Sequence, residues 1–408
     1  MNIPLFSSNG NGIHLRGAAT DVRSLNLYSD EESNTECYAG VDIINYTLLL
    51  LSNSSLDAAR SLLPIFISPS THENELDIHN QHTESIHLSE DIETFITSPW
   101  VTRFVPSVHI IVVMFSLPLN IIAILVFVVK LRLKKSATVY MLNLAFADVL
   151  FVCVLPFKII YHFSGNNWTF GPEMCRLATS AFHCNMYCSI LLMVAISIDR
   201  FLVVVYPMQS LSWRTPRRTT LICFAIWIIA IAGVIPLLLN EQTERFPRLN
   251  ITTCLDSLAF STMKTFYRYF SAVSILFFYI PLLISGTGYV CIIKRLSSPH
   301  VATKPGKKKR AILLCVAVLS SFIICFGPTN VVFMLQVFSL LPEQQVANLL
   351  FACMLATCIT TISCCIDPLI YYYASSEYQR QVWRLLCNRK HSDLERSIRF
   401  TSSNIETS

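Results

Sequence analysis

Two acidic residues, Asp148 and Asp367, lie within long apolar stretches of this sequence. A carboxylate is costly to place inside a lipid bilayer, so an ionisable residue in such a stretch is a candidate functional group. Ser189 and Asn120 fall at a similar depth in two other apolar stretches and add neutral oxygen atoms. Three readings are open: the group binds a cation, for which Na⁺ between Asp148 and Asp367 is our first choice; its carboxylates share a proton; or it is a polar network without an ion.

A second constellation, Asp199-Arg200-Phe201, ends another apolar stretch. The arginine can pair with its neighbour Asp199 and later be released to a partner. Tyr371 closely follows Asp367-Pro368, and a proline inside a helix removes a hydrogen bond and kinks the helix. We therefore predict that Asp199, Arg200 and Tyr371 form a switch at one face of the membrane.

Seven long apolar stretches separated by short loops must position these residues. Crossing a bilayer takes roughly 20 apolar residues, and only helices and closed barrels can span it. The sequence is 53% hydrophobic and 14% charged, whereas a soluble domain is about 25% charged. We predict an all-α membrane protein, a bundle of seven transmembrane helices, with spans at 104–129, 138–162, 172–206, 219–240, 265–293, 309–338 and 346–372.

The charges in the loops predict the orientation of this bundle. The first, third and fifth loops carry 14 Lys and Arg residues and the other three loops carry three. Positive charge stays on the cytoplasmic side. We therefore place the protein in the plasma membrane, with an extracellular tail at 1–99, the seven-helix domain at 100–374, and a cytoplasmic tail with a short amphipathic helix at 375–408.

The predicted outer side carries all of the Asn-X-Ser/Thr triplets. They predict N-glycosylation at Asn45, Asn53, Asn167 and Asn250. The first residues lack the basic and apolar regions of a secretory signal. We expect either that the first helix acts as the signal anchor or that the true start of the protein lies elsewhere.

The 15 cysteines fall into two groups. Most lie inside predicted helices, where a small buried thiol is the ordinary role. Cys175 and Cys254 lie on the outer side, in an oxidising compartment, where a bridge between them would hold the second outer loop over the bundle. Cys387 follows the amphipathic stretch and is either palmitoylated or a free cytosolic thiol.

Taken in order, these residues resemble the fixed points of rhodopsin-like (class A) G-protein-coupled receptors. The matching positions are Asn120, Leu144, Asp148, Cys175, Asp199-Arg200-Phe201, Trp227, Cys254, Pro281, Pro328 and Asp367-Pro368-x-x-Tyr371. Five segments narrow the resemblance to the proteinase-activated receptors: 104–107, 206–214, 249–254, 326–330 and 363–368. The resemblance covers residues 104–387. It implies that the switch faces heterotrimeric G proteins of the Gq and Gi families, and arrestin, while membrane lipid surrounds the bundle.

The resemblance also implies activation by proteolysis. A trypsin-like serine protease, with thrombin as first candidate, would cut the outer tail, and the new N-terminus would bind the same molecule as a tethered ligand. Such a protease cuts after Arg or Lys, and the tail offers only Arg16, Arg23 and Arg60 among its first 99 residues. The same segment has 14 acidic residues, so its charge is opposite to that of the inner loops.

Cleavage between Arg60 and Ser61 is the prediction that we favour. The new end, Ser61-Leu62-Leu63, is a small residue followed by apolar ones, as tethered ligands of the family usually begin. Acidic residues that could dock a basic protease surface follow at Glu73, Glu75 and Asp77. The rival is cleavage between Arg23 and Ser24, with Asp30-Glu31-Glu32 behind it, and the bond after Arg16 is a third choice.

The ligand pocket implied by the resemblance includes Asp256, Leu258 and His183. The sequence departs from the family pattern here. It has Leu255-Asp256 where the family usually has His-Asp, His183 at an aromatic position, and the less aromatic Gln336-Val337 and Cys353 at the outer ends of two helices. We therefore expect an activating peptide that is not interchangeable with those of familiar members.

Two other classes of function stay open. A class A receptor for a diffusible peptide or lipid would use the tail only as a glycosylated spacer. A transporter or intramembrane enzyme would use Asp148 and Asp367, but the sequence has no inverted repeat or catalytic motif and Asp199-Arg200-Phe201 would have no transport role. We predict a receptor, not an enzyme, with no cofactor apart from the possible Na⁺ and no nucleic-acid partner.

Overall fold

The computed structural model describes residues 93–131, 135–254, 269–297, 305–337 and 346–384. Within this part of the chain, seven helices are long and apolar enough to cross a membrane, as the sequence predicts. They are α1 (Trp100–Lys130), α2 (Ser136–Phe163), α3 (Gly171–Val205), α4 (Pro216–Leu239), α5 (Tyr269–Ser297), α6 (Ala311–Leu335) and α7 (Asn348–Tyr373). Helical structure extends past two of these spans, to Pro305–Val337 around α6 and Val346–Ala374 around α7.

Prolines shape most of the spanning helices. In α2, the helix is interrupted between Ser136–Val152 and Leu155–Phe163, and Pro156 begins the second part. In α5 and α6, π-helical turns at Ile275–Tyr279 and Phe322–Phe326 stand just before the prolines of these helices. A proline lacks the N–H that bonds the carbonyl four residues earlier, and its ring crowds that carbonyl. A widened turn before the proline gives the ring room.

The second outer loop forms a β-hairpin. Strands β1 (Thr243–Phe246) and β2 (Ile251–Cys254) are antiparallel, with Thr243 opposite Cys254 and Phe246 opposite Ile251. Asn250, just before β2, has φ of 51°, a conformation that asparagine tolerates better than most residues. Because Thr243 and Cys254 are paired, both ends of the hairpin lie together at the outer end of the bundle. Cys254 is thereby placed where it can be joined to a helix.

The bundle exposes large apolar side chains on its surface and buries a smaller set of polar side chains within an apolar core. Large apolar side chains such as Met114, Leu221 and Leu283 are each more than two-thirds exposed, as expected where lipid is the solvent. Helix α3 is the most buried span and packs against α2, α4 and α5. The fully buried polar side chains include those singled out from the sequence: Asn120, Asp148, Ser189 and Asp367.

Two short helices lie at the inner side. One, Pro207–Trp213, follows α3 directly. The other, α8 (376–384), follows α7, and the Ser375 hydroxyl caps it by accepting from the Tyr378 N–H at 3.2 Å. Tyr378 is buried against Phe127 of α1, with ring centroids 5.2 Å apart. This contact fastens α8 to the inner end of α1.

Candidate functional site

The hairpin Thr243–Cys254, referred to below as the lid, is attached to the outer end of the bundle by a covalent bond and by hydrogen bonds. The structure joins Cys175, at the start of α3, to Cys254 of β2 in a disulfide. Lys158 donates to the Cys254 carbonyl at 3.2 Å, and its ammonium lies 5.3 Å from the Tyr161 ring centroid and 5.7 Å from that of Trp168. Both cysteines and both aromatic rings belong to one buried cluster. The hairpin is thus held at the outer ends of α2 and α3.

A second set of contacts ties the hairpin to the loop after α2. The Trp168 N–H donates to the Thr252 carbonyl at 2.7 Å, and the Thr252 N–H donates to Asn167 Oδ1 at 3.1 Å. Asn167, a predicted glycosylation site, is partly exposed here, and Asn250 is exposed in the hairpin turn. The glycan acceptor predicted at Asn167 therefore also positions the lid.

The segment before α1 joins the same region. Asn166 donates to the Ile96 carbonyl at 2.5 Å and meets His162 Nδ1 at 2.7 Å. A hydrophobic cluster then gathers side chains from the segment before α1, from the start of α1, from the hairpin and from α7: Phe95, Ile96, Val101 and Leu350, with Phe246, Ile251 and Met354 against them. The chain therefore enters the bundle from its N-terminal residues directly beside the hairpin.

His183 lies in an aromatic cluster deeper between α3, α5 and α6. Its ring stacks on Phe270 at 4.8 Å and on Phe333 at 6.2 Å between centroids, and Phe270 and Phe333 stack on each other at 4.6 Å. Nδ1 lies 2.9 Å from the Thr179 carbonyl. Since a carbonyl only accepts, Nδ1 carries the proton. Burial disfavours the charged ring, and in the neutral ring Nε2 is an acceptor. That nitrogen is buried and has no hydrogen-bond partner among the described residues.

The buried centre of the bundle gathers the carboxylates predicted from the sequence. Asp148 of α2, Ser189 of α3 and Asp367 of α7 are all completely buried. Asp148 lies beside Cys364, Asn185 and Asp367, but none of these side chains forms a hydrogen bond of standard geometry with it. None of the four carboxylate oxygens, nor the Ser189 hydroxyl, has a hydrogen-bond partner in the described part of the chain.

Pro368 explains how α1 is attached to this centre. As a proline it cannot donate to the carbonyl of Cys364, four residues earlier. That carbonyl instead accepts from the Ser116 hydroxyl at 3.0 Å and from Asn120 Nδ2 at 2.9 Å. The kink in α7 thus supplies the acceptor that holds α1 beside the carboxylates.

The donor set in this centre has a definite chemical character. The unpartnered atoms of Asp148, Ser189 and Asp367 are all oxygens, the ligand type that hard cations prefer. No group of three or more His, Cys, Asp or Glu side chains in the described residues is arranged to hold a metal ion. Two carboxylates and neutral oxygens fit a monovalent cation or a shared proton better than a transition metal.

The inner end of α3 carries the predicted charge pair and an additional arginine. Arg200 Nη2 lies 3.4 Å from Asp199 Oδ2. Arg214, after the short helix Pro207–Trp213, makes the shorter contacts: Nε to Oδ1 at 2.6 Å and Nη2 to Oδ2 at 2.8 Å. This bidentate geometry is the strong form of an arginine–carboxylate pair. In the sequence, Arg214 contributes to the positive charge of the third loop and ends the segment 206–214, and neither feature predicts this pairing with Asp199.

The third predicted switch residue is Tyr371, and two other polar contacts join helices of the bundle. Ser197, one turn before Arg200, is hydrogen-bonded to Tyr289 of α5. Tyr371 is fully buried, its ring lies 5.6 Å from that of Phe127, and its hydroxyl has no partner among the described residues. Trp227 of α4 donates to Asn143 of α2 at 3.1 Å.

Several predicted residues lie outside the described part of the chain. These are the cleavage and tether residues Arg23, Ser24, Arg60, Ser61, Leu62 and Leu63, the pocket residues Asp256 and Leu258, the glycosylation sites Asn45 and Asn53, and Cys387. Their roles stay predictions.

Comparison with known proteins places the bundle in a family. The family described as 7 transmembrane receptor (rhodopsin family) matches residues 119–371. Proteinase-activated receptor 1 of Homo sapiens is 58% identical over 307 residues, which cover 75% of this chain and 72% of that protein. The receptor of the same name from Xenopus laevis is 53% identical over 309 residues, or 75% and 72% of the two chains. Proteinase-activated receptor 2 of Rattus norvegicus is 37% identical over 311 residues, or 76% and 78%.

Proposed function

The chain belongs to the proteinase-activated receptors of the rhodopsin family, and from this premise we propose the details of its activation. It is a multi-pass plasma-membrane receptor that is activated by proteolytic cleavage and signals through G proteins. The observation that carries the proposal is the hydrophobic cluster in which Phe95 and Ile96 pack with Phe246 and Ile251 of the hairpin. This cluster anchors the end of the tail, at Phe95 and Ile96, beside the hairpin. A ligand carried by the tail is therefore tethered close to the proposed ligand pocket.

We assign the cleaved bond to Arg60–Ser61. A trypsin-like serine protease, thrombin by resemblance, hydrolyses this amide and leaves an ammonium group on Ser61. The residues Ser61, Leu62 and Leu63 then form the start of the ligand. In the sequence, Asp256 follows the disulfide-bonded Cys254 by two residues. Its carboxylate is the proposed partner of the new ammonium, and Leu258 is a second proposed contact.

Tether length supports Arg60 over Arg23. Ser61 lies 32 residues before Glu93, the first residue that the structure describes, and Ser24 lies 69 residues before it. If the linker behaves as a flexible chain, these lengths correspond to root-mean-square spans of about 30 Å and about 45 Å. Effective concentration falls roughly as the −3/2 power of linker length, so the shorter tether has an advantage of about threefold.

His183 is the proposed contact deeper in the pocket. Its Nε2 is an acceptor without a partner in the described residues, and the ring is held by stacking on Phe270 and Phe333. A buried acceptor without a partner is unfavourable, and a ligand N–H that reaches it removes that cost. A peptide with a backbone or side-chain N–H at this depth would therefore bind better than one without it.

The inner half of the proposal concerns signalling. Arg200 and Tyr371 would rearrange towards a G protein of the Gq or Gi families, and arrestin would later occupy the same side. Asp148, Ser189 and Asp367 would hold Na⁺, which supplies the positive charge that two buried carboxylates otherwise lack. A ligand can shift this equilibrium only if its affinity differs between the two states.

The test of the cleavage site compares three receptors expressed in cells: wild type, Arg60→Ala and Arg23→Ala. Each is treated briefly with thrombin or trypsin and, separately, with the synthetic peptide Ser61-Leu62-Leu63-Pro64-Ile65-Phe66, and intracellular calcium is recorded. We expect Arg60→Ala to lose the protease response and to keep the peptide response, while Arg23→Ala keeps both.

The alternatives have distinct outcomes in the same experiment. Loss of the protease response in Arg23→Ala alone would start the ligand at Ser24. A wild-type receptor that ignores both proteases and responds to a diffusible agonist would instead identify an ordinary class A peptide or lipid receptor. Surface staining of each variant controls for expression.

A further inference from the structure

A cavity of about 760 Å³ lies between the inner end of α1 and helix α8. Its lining includes three basic side chains: Lys130 from α1, and Arg380 and Arg384 from α8. Glu377 and Gln381 of α8 complete the polar wall, and Val129 of α1 and Leu131, directly after α1, add apolar surface. None of these residues belongs to the ligand pocket, the buried carboxylates or the Asp199 switch.

The cavity surface on α8 is one face of that helix. Glu377, Arg380, Gln381 and Arg384 follow the i, i+3, i+4, i+7 spacing that places side chains in one row. Tyr378 lies off this row and is buried against Phe127. The aromatic anchor thus fixes the rotation of α8 so that both arginines border the cavity.

The charges in the cavity are unbalanced. Its acid, Glu377, is ionised at neutral pH and accepts from Lys135 Nζ at 2.8 Å. This hydrogen bond lowers the pKa of Glu377, and Arg380 adds to the shift through its charge. Lys135 is therefore the direct partner of this carboxylate. Within the described residues, no carboxylate lies within ion-pair distance of Lys130, Arg380 or Arg384. The three cations leave the cavity positive.

Exposed apolar side chains neighbour the cavity lining along both helices. Val128 and Val129 of α1 are 50% and 58% exposed, and Trp383 of α8 is 67% exposed. Tryptophan is enriched where the membrane meets water. A small dissolved anion would neutralise the cations but leave this apolar rim bare, whereas a phospholipid has a phosphate for the cavity and acyl chains for the rim.

We propose that the cavity binds the phosphate-bearing headgroup of an anionic phospholipid from the inner leaflet. Arg380 and Arg384 donate paired N–H groups to phosphate oxygens, a geometry to which guanidinium is suited. Lys130 adds a point charge from α1, and Gln381 hydrogen-bonds headgroup hydroxyls. The lipid thereby cross-links α1 to α8 through charges, beside the Phe127–Tyr378 contact. This inference is independent of the cleavage mechanism.

Native mass spectrometry of the full-length receptor tests the site. The receptor is released from nanodiscs of phosphatidylcholine alone, or with a phosphatidylinositol phosphate or phosphatidylserine added, and retained lipid is counted. We expect the phosphorylated lipid to be retained most. The double variant Arg380→Gln/Arg384→Gln should retain it less, by about fivefold for each charge removed.

The matched control removes the same charge elsewhere. Arg217 and Arg218 are exposed inner-side arginines at the start of α4, and Arg217→Gln/Arg218→Gln should retain lipid like wild type. Equal losses in the two double variants would overturn the site in favour of diffuse attraction to the membrane. Lys130→Gln, on α1, separates loss of lipid from misfolding of α8, because it should also reduce retention without altering that helix.

The source of the phosphate is tested with a soluble headgroup. Increasing concentrations of inositol trisphosphate are added to the receptor, and the remaining retention of the phosphorylated lipid is measured. Weak competition, requiring a large excess, is expected because the apolar rim contributes only to lipid binding. Competition at equal concentration would identify a soluble-phosphate site and overturn the lipid assignment, and unchanged retention in the arginine and lysine variants would overturn the cavity altogether.

Discussion

The lid at the outer end of the bundle and the polar centre below it are built in opposite ways. In the lid, a disulfide joins Cys175 to Cys254, and backbone groups of Trp168 and Thr252 are paired. In the centre, the carboxylate oxygens of Asp148 and Asp367 have no hydrogen-bond partner among the described residues. The lid is cross-linked so that it has one arrangement, whereas the centre needs a counter-charge, a proton or a rearrangement.

This difference matches the two tasks of a receptor. A ligand binds best to a surface that is already ordered, because less conformational freedom is lost on binding. Signalling instead requires two states of similar free energy that a ligand can bias. Buried oxygens without partners raise the free energy of the packing that contains them. A second packing that satisfies them differently can then compete.

The largest expected effect comes from removing the order of the lid. Cys175→Ser, Cys254→Ser or the double substitution should each destabilise the outer end by ~2–5 kcal/mol and strongly reduce surface expression and peptide activation. The measurements are surface staining and alkylation of thiols in the native, non-reduced receptor. Cys153→Ser, which changes a free exposed cysteine of α2, is the control. Labelling of both Cys175 and Cys254 in the native receptor would contradict the bridge.

In the polar centre, by contrast, a substitution can add a stabilising contact, and Asp148→Asn should make the receptor more rigid. An amide has nearly the shape of the carboxylate but no charge and can donate to Asp367. We expect the free energy of unfolding to rise by ~1–3 kcal/mol, as is typical when a buried group without a partner gains one, while signalling weakens and cleavage of the tail is unaffected. Thermal unfolding in detergent and calcium responses measure the two quantities.

The same variant separates Na⁺ from a shared proton. Agonist-peptide potency is measured over a range of Na⁺ at constant ionic strength in wild type and Asp148→Asn. If Na⁺ binds, wild type depends on Na⁺ and the variant does not. Equal dependence in the two receptors would leave the proton-sharing pair as the account of the centre.

The contrast between lid and centre was only partly predictable from the sequence. Hydropathy and loop charge predict the seven helices and the burial of Asp148. Both features follow from how apolar and charged residues are distributed along the chain, without knowledge of contacts between helices. The observed helices begin somewhat differently, as at Trp100 instead of 104 and at Pro216 instead of 219. Trp100 extends α1, and the cap by Thr215 extends α4, beyond the apolar residues of these helices. A hydropathy pattern detects neither an aromatic residue at the membrane interface nor a helix cap.

Contacts between distant elements could not be predicted in the same way. Pro368 by itself implies a free carbonyl at Cys364, but not that Ser116 and Asn120 of α1 would bond it. The hairpin is made of two four-residue strands in a loop, which are too short to give a clear alternating pattern. Arg214 is one of several inner arginines in the sequence, and only the helix Pro207–Trp213 returns it to Asp199.

The pairing of Asp199 gives the next prediction, of intermediate size. Because Arg214 holds Asp199 by two short contacts, Arg200 is left with one contact of 3.4 Å. Arg214→Gln should release Asp199 to Arg200, hold Arg200 more firmly, and lower basal signalling and peptide potency by about three- to tenfold, the equivalent of ~1 kcal/mol. Inositol phosphate accumulation measures both quantities.

Controls distinguish this pairing from a general effect of charge. Arg217→Gln removes an exposed arginine near the same loop and should have no effect. In an Asp199→Asn background, Arg214→Gln should add little, because the two residues act through one contact. Higher basal signalling in Arg214→Gln would show instead that Arg214 restrains the resting state.

The smallest expected effect concerns His183, where the ordered outer half approaches the adaptable centre. His183→Phe keeps a ring that can stack on Phe270 and Phe333 but removes the Nε2 acceptor, whereas His183→Gln keeps an acceptor and loses the stacking. If ligand recognition uses the acceptor, His183→Phe should lower peptide potency by about five- to tenfold, the equivalent of one hydrogen bond of ~1 kcal/mol, and His183→Gln should lower it less. Protease cleavage of the tail, measured as the loss of an N-terminal epitope tag, should be the same in wild type and in both variants. A lower peptide potency in His183→Gln than in His183→Phe would contradict this role and would assign His183 to the stacked aromatic wall. The ordered outer half would then extend to the aromatic cluster between α3, α5 and α6, and His183 would make no polar contact with the ligand.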